Sequence, residues 1–274
     1  HLILTANSQI CSIDDDHSCA LRSLKLVVGV LCLGSAQPLL MGEGDILDWS
    51  GSVRGAGELL AILLVTSGIA LLFGVYQGCR WCRLLAWSGW ALLPLVSMFF
   101  LLNAFCRWQL NFDNPFKQGA LLNHAVRFTA PAVLFVWMWP CRKMDGQGFS
   151  TTLWFMRVAV SATFWGHGLN ALRGSPSHVE LIQVTSINIF NHAISSPMAD
   201  SILDAIGFFD FVIAILFLAR QWRAVALWMA IWGFVTAASR LTTYGIGEGW
   251  AGAAIRIANG GLPYVIWLLW RRRA

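Results

Sequence analysis

Eight long apolar runs limit the folds that are open to this chain. An α-helix rises 1.5 Å per residue, so roughly 20 residues cross the roughly 30 Å hydrocarbon core of a bilayer. Because lipid offers the backbone no hydrogen-bond partner, each run is predicted to be helical. We therefore predict an all-α polytopic integral membrane protein with about eight transmembrane helices. The runs lie near residues 21–41, 56–76, 84–106, 120–139, 151–172, 202–220, 222–243 and 251–270.

The composition agrees with this class and excludes a soluble domain. Apolar residues make up 57% of the 274 residues and charged residues only 12%. The 15 Trp and 17 Phe are typical of a surface in contact with membrane lipids, with Trp at the headgroup level. Much of the net charge of +5 lies in short turns and in Arg271, Arg272 and Arg273, so it does not indicate nucleic-acid binding.

The second half of the chain repeats charged and small residues of the first half. A shift of 132 positions places Lys25 on Arg157 and Gly34 on Gly166. The pattern predicts two four-helix membrane repeats, residues 21–143 and 144–274, after a polar N-terminal tail over residues 1–20. Other matched pairs are Glu58 with Asp204 at a shift of 146, Arg80 with Arg220 at 140, and Arg127 with Arg256 at 129.

An even number of helices in each half makes the two repeats parallel. The positive-inside rule then places both termini in the cytoplasm of a bacterial cytoplasmic (inner) membrane, with a long outer loop over residues 173–201. The cations that mark the inner side are Arg22, Lys25, Arg80, Arg83, Arg142, Lys143, Arg220 and Arg223.

Ionisable residues inside the predicted spans mark a candidate site, because a charge inside a membrane is costly. Acidic residues lie near the outer end of the second predicted helix of each half. Basic residues lie at a similar depth on the other helices. The acids are Glu58, Asp204 and, deeper, Asp210; the basic residues are His124, Arg127, His167, Arg240 and Arg256.

Two interpretations of these charges remain open. In one, Glu58 pairs with Arg127, and Asp204 or Asp210 pairs with Arg256, so that the ion pairs only hold the bundle together. In the other, the same groups form a polar pocket for a quinone carbonyl or an anion in the outer half of the bilayer.

In the pocket interpretation the residues have different roles. His167, Asp204 and Asp210 are the candidates for proton transfer. Glu58, His124, Arg127, Arg240 and Arg256 are the candidates for holding the ligand. A haem between His124 and His167 is not favoured, and no His, Cys and Asp spacing predicts a metal site.

Cys79 and Cys82 form a CxxC pair in the turn GCRWCR, where neighbouring Arg residues lower thiol pKa values. The predicted topology places this turn in the reducing cytoplasm. Ordinary reduced cysteines are therefore favoured over a redox-active pair.

Several of these residues resemble the DoxX-like family of four-helix membrane proteins. They are Arg157, the run FWGHGLNAL, an acid in the next helix, and RQWRAVAL at the following turn; the first half has Ser35 where the family has its His. The resemblance implies a membrane subunit of a quinone-linked redox system such as thiosulfate:quinone oxidoreductase, with other membrane or periplasmic subunits as partners.

Two alternatives from other classes remain. One is a non-catalytic accessory or scaffold subunit that anchors a larger membrane complex. The other is a transporter or receptor for a small anion. The latter is less favoured, because the sequence shows no interrupted Gly/Pro helix pairs at corresponding positions.

Overall fold

The computed structural model describes residues 2–50, 54–75, 80–139 and 146–270, with side chains over 17–48, 55–75, 87–139 and 147–270. All regular structure in these residues is α-helical, which confirms the all-α class. The helices are α1 (Leu2–Leu40), α2 (Asp45–Ser50), α3 (Arg54–Phe73), α4 (Arg80–Leu110), α5 (Ala120–Asn123), α6 (Ala125–Trp137), α7 (Gly146–Leu172), α8 (Pro176–Phe190), α9 (Ser196–Ala219), α10 (Arg223–Ile255) and α11 (Ile257–Trp270).

Five of the described helices are long and apolar enough to cross a membrane. The helix α7 has the length but carries polar residues such as Arg157, Ser161 and His167 along it. The shorter apolar helices α6 and α11 lie where the fourth and eighth spans were predicted. The five spans are His17–Leu40, Gly55–Phe73, Trp87–Leu110, Ser196–Ala219 and Arg223–Ile255.

The predicted polar tail and part of the predicted outer loop are helical. α1 begins at Leu2, so the polar tail continues directly into the first apolar run; residues 2–28 contain no Gly or Pro to interrupt it. The predicted outer loop contains α8, which starts with Pro176 in its first turn and ends at Asn191 in the left-handed conformation (φ 51°). At 15 residues α8 is too short to span a bilayer.

Two helices are interrupted, at His124 between α5 and α6 and at Arg256 between α10 and α11. Their backbones are nearly the same, with φ −105° and ψ 4° at His124 and φ −96° and ψ −1° at Arg256. In each case the N–H three residues later donates to the carbonyl of the interrupting residue at 2.9 Å: Arg127 to His124, and Asn259 to Arg256. The sequence shows no interrupted Gly/Pro helix pair, and these two interruptions fall instead at His124 and Arg256.

The two interruptions correspond at a shift of 132 positions, which also places Pro131 of α6 on Pro263 of α11. This differs by three from the shift of 129 that matched Arg127 with Arg256. At the structural shift, Arg127 corresponds to Asn259. Matching charged residues between the halves did not pair Arg127 with Asn259, because Asn259 carries no charge.

The matched cations Lys25 and Arg157 both reach the C-terminal end of a neighbouring helix. Lys25 donates to the carbonyl of Gly74, just after α3, at 3.2 Å. Arg157 donates to the carbonyls of Phe217 and Leu218 at the end of α9, at 2.8 and 2.5 Å. The last carbonyls of a helix lack partners and lie at the negative end of its dipole. These two buried cations therefore lock α1 to α3 and α7 to α9.

Small residues allow the helices of the two halves to approach closely. A Cβ on Gly34 of α1 would lie 3.0 Å from the backbone nitrogen of Ile255, at the end of α10. A Cβ on Gly166 of α7 would lie 2.9 Å from the backbone nitrogen of Asn123, at the end of α5. Each half thus packs its first helix against the interruption in the other half, and the buried residues form one core.

The two cysteines of the CxxC pair cannot be placed. Cys79 and Arg271, Arg272 and Arg273 lie outside the described residues, and the Cys82 side chain lies outside the described side chains.

Close packing of α7 on α9 predicts that Gly207→Ala is destabilising. The new Cβ would lie 2.8 Å from the carbonyl oxygen of Gly168, so the two backbones must separate. We expect a loss of about 1–3 kcal/mol, the usual cost of overpacking, measured by unfolding of the purified protein in mixed micelles.

Gly247→Ala is the matched control for this variant, because a Cβ on Gly247 meets no atom within 4 Å. Equal stability of the Gly207→Ala and Gly247→Ala variants would contradict the close packing of α7 on α9.

Candidate functional site

A cavity of about 340 Å³ lies between α7, α8, α9, α10 and α11; we call it the α7–α11 cavity. Its size is within the range of small-molecule sites, about 300–1,000 Å³. Its walls combine aromatic and aliphatic side chains with a group of polar ones. The polar and charged residues are Thr163, His167, His178, Thr185, Ser186, Asp210, Thr236, Ser239, Arg240, Arg256 and Asn259, and the apolar ones include Phe164, Leu181, Phe190, Leu203, Ile206, Trp232 and Val235.

Four elements bring the basic residues and amides of the cavity together. The rings of His167 on α7 and His178 on α8 lie edge to face, with their centroids 6.4 Å apart. The Asn259 side chain of α11 lies 3.4 Å from Nε2 of His167. Arg240 and Arg256 both border Gly252: a Cβ there would lie 3.7 Å from Cγ of Arg240 and 3.8 Å from a terminal nitrogen of Arg256.

A kink in α10 allows this approach of the two arginines. Gly245 has φ 75° and ψ 172°, a backbone conformation that only glycine adopts readily. The chain then folds back, so that Gly249 packs against the carbonyl of Arg240. Arg240 before the kink and Arg256 after it consequently lie next to each other at the cavity wall.

Helix α8 is fixed to α10 by hydrogen bonds beside the same kink. The Thr185 hydroxyl lies 3.0 and 3.1 Å from the hydroxyls of Thr242 and Thr243. The Asn188 side chain donates to the carbonyl of Thr242 at 2.6 Å. These contacts hold α8, and with it His178, as one wall of the cavity.

The structure divides the eight predicted site residues into two groups. His167, Asp210, Arg240 and Arg256 line the α7–α11 cavity. The other four do not line it. Glu58 and Asp204 are exposed on α3 and α9, and His124 and Arg127 are buried at the interruption between α5 and α6.

Thr163 of α7 connects the α5–α6 interruption to the cavity. Its hydroxyl donates to the carbonyl of Leu122 at 3.2 Å and accepts the N–H of Val126 at 3.2 Å. The backbone N–H and carbonyl groups left free by the interruption thereby find a hydrogen-bond partner in a side chain that also lines the cavity. His124 and Arg127 therefore lie behind the cavity wall.

Several buried polar atoms of the cavity lining have no hydrogen-bond partner in the described part of the protein. Buried polar groups in proteins are normally satisfied, so a concentration of exceptions indicates a place for ligand or water. The atoms are Nδ1 of His178, Oδ1 of Asp210, Nε of Arg240 and Oδ1 of Asn259.

The predicted ion pairs within the spans are absent from the described side chains. Arg127 and Arg256 pair with no described carboxylate, and Arg256 instead donates to the carbonyl of Gly252 in its own helix at 2.8 Å. An ion pair is found elsewhere, between Arg107 and Asp45 at 3.4 Å. Ion pairing therefore does not account for these buried arginines.

His178 is the titratable group of the cavity that lies outside the predicted spans. Burial, together with Arg240 and Arg256, lowers its pKa to about 4. The imidazole is therefore neutral at physiological pH and can both donate and accept a hydrogen bond.

Sequence reasoning missed His178 and Asn259. His178 fell in the predicted outer loop, although the spacing of Leu181, Ile182 and Thr185 on one side of α8 was a helical signal. Asn259 carries no charge and so was not considered. The sequence feature that could have indicated Asn259 is its correspondence with Arg127 at a shift of 132.

No group of three or more His, Cys, Asp or Glu side chains in the described ranges is arranged to hold a metal ion. Comparisons of the chain with family models, curated proteins and solved structures found no match. A functional assignment consequently depends on the cavity itself.

Because neighbouring cations disfavour protonation of His178, we predict that Arg240→Gln raises the pKa of His178 above its value of about 4. NMR titration of histidine-labelled protein in micelles measures this pKa directly. Arg220→Gln removes the same charge from an exposed position and serves as control. An unchanged His178 titration in Arg240→Gln would place Arg240 away from the cavity.

Proposed function

We propose that this chain is a membrane-embedded subunit of a redox system and binds a quinone in the α7–α11 cavity. The observation that carries the proposal is the combination of apolar walls with buried, unpartnered hydrogen-bonding atoms in one cavity of a helical membrane protein. The resemblance to the DoxX-like family supports the same class of function.

The lining residues fit the chemistry of a quinone. A quinone presents a flat apolar ring with carbonyl acceptors on its edge. Phe164 and Trp232 supply flat apolar surface, while Arg240, Arg256 and Asn259 supply N–H donors. Such a combination of apolar walls with a few polar groups fixes a ligand's orientation.

Reduction of a quinone to a quinol takes up two electrons and two protons, and we propose that a reduced partner subunit supplies the electrons. Asp210 is buried, and its Oδ1 has no hydrogen-bond partner in the described part of the protein. His167 lies beside Asn259. These two residues are positioned to pass protons to a ligand in the cavity.

We further propose that the chain is a tandem duplication with two parallel four-helix repeats, in a bacterial cytoplasmic membrane with both termini in the cytoplasm. The equivalent helix interruptions at His124 and Arg256 and the equivalent contacts of Lys25 and Arg157 support the duplication. The distribution of basic turns supports the orientation, and it places the cavity in the outer half of the bilayer.

A second candidate is a non-catalytic subunit that stabilises a larger membrane complex. The observation that favours it is the exposed apolar side of α8, where the Phe190 side chain is 73% exposed. An apolar patch of this kind on a helix too short to span a bilayer indicates a contact surface.

The test is quinone binding by the purified chain in nanodiscs, followed by quenching of tryptophan fluorescence. We expect saturable binding of about one quinone per chain. Arg240→Gln should weaken binding roughly 10- to 100-fold, the usual effect of losing a hydrogen bond from a charged donor.

Asp210→Asn and Asp204→Asn form a matched pair on α9 for the same test. The buried Asp210 lines the cavity and the exposed Asp204 does not. Quinone reduction by the intact complex should therefore slow only in Asp210→Asn. Absence of saturable quinone binding, together with co-purification of a stable multi-protein complex, would instead support the accessory subunit.

A further inference from the structure

The α7–α11 cavity contains more positive charge than a quinone can neutralise. Arg240 and Arg256 both line it, and a guanidinium group keeps its charge in proteins. Arg127 lies buried behind the wall at the α5–α6 interruption. Three cations thus gather at this cavity, with Arg127 buried and Arg240 and Arg256 partly buried.

The described acids offset this charge only in part, since the cavity lining holds two arginines and one carboxylate. Asp210 is the one carboxylate among the lining residues. Glu180 lies on the exposed side of α8 and forms no ion pair with Arg240 in the described part of the chain. The hydrogen bond from Arg256 to the carbonyl of Gly252 satisfies one donor but does not neutralise the charge of the guanidinium group.

Two further features suit a negatively charged group at this place. Nε of Arg240 is buried and unpartnered, so part of its planar donor fork remains available for a carboxylate or phosphate. The buried Asn259 adds an amide that lines the cavity.

We propose that Arg240, Arg256 and Asn259 bind the oxyanion group of a phosphate or carboxylate ligand. This goes beyond quinone binding, because quinone carbonyls are neutral and leave the two arginines uncompensated. The oxyanion belongs either to the head group of a lipid-like molecule, whose chains contact Leu203, Ile206 and Val235, or to a free phosphate.

The experiment uses the full chain in nanodiscs of phosphatidylcholine, which brings no net charge. One arm titrates inorganic phosphate, and the other adds short-chain phosphatidic acid; native mass spectrometry counts the bound molecules. If phosphatidic acid binds and phosphate displaces it, the site recognises the phosphate group that the two probes share. Binding of phosphate alone assigns it to a free anion.

Arg256→Gln should weaken binding of the anion about 10-fold or more. Arg220→Gln removes the same charge at an exposed position and should leave binding unchanged. Equal binding by both variants, or no binding of either probe by the unaltered protein, would overturn the proposal.

A measurement on the unaltered protein covers the case in which Arg256→Gln does not fold. Phosphate or short-chain phosphatidic acid should raise the melting temperature above that in chloride at equal ionic strength, because a ligand that binds only the folded state stabilises it. Equal melting temperatures with both probes would overturn the proposal. Quinone titration of the same nanodiscs separates the two proposals, since quinone binding without anion binding rejects only the anion site.

Discussion

The need to satisfy buried positive charge determines much of this structure. Lys25 and Arg157 meet the last carbonyls of α3 and α9, where the helix dipole is negative. Each cation thereby joins two helices of its own half. Arg256 donates to the carbonyl of Gly252 at the end of its own helix α10, and both Arg240 and Arg256 lie at a cavity with unpartnered polar atoms. The same residue type thus locks helices in one place and creates a candidate binding site in another, according to what lies within its reach.

Three positions that line the cavity in the second half differ from their counterparts in the first half. In the second half these positions carry groups that require polar partners and leave space between the helices. In the first half they carry side chains that fill the core or bond to their own helix; Ser35 donates to the carbonyl of Leu31 at 2.8 Å. By the sequence shifts, the counterparts are Ser35 for His167, Leu64 for Asp210 and Phe100 for Arg240, all buried. Under the proposed duplication, one half has a packed interior at these positions while the other has a polar cavity.

The apolar runs predicted where helices form, because length and hydropathy act within a single segment. They did not predict α8 or the interruptions at His124 and Arg256, which depend on contacts between segments such as the hydroxyl of Thr163 at the α5–α6 interruption. For the candidate site, the rise per residue predicted the depth of each charge but not the side of the helix it occupies. Asp204 and Asp210 illustrate this, since they lie on the same helix, the former exposed and the latter buried.

The position of Asn259 depends on how closely α11 packs on α10. A Cβ on Gly233 of α10 would lie 2.5 Å from the backbone of Asn259, and one on Gly260 would lie 2.7 Å from the carbonyl of Ala230. Such backbone contact leaves little freedom for α11 to shift, so Asn259 and the preceding Arg256 are held in place before any ligand arrives. Preorganised groups lose less entropy when they bind. The glycines of α10 and α11 therefore contribute to ligand binding through the rigidity of the cavity wall, although none of their atoms need touch the ligand.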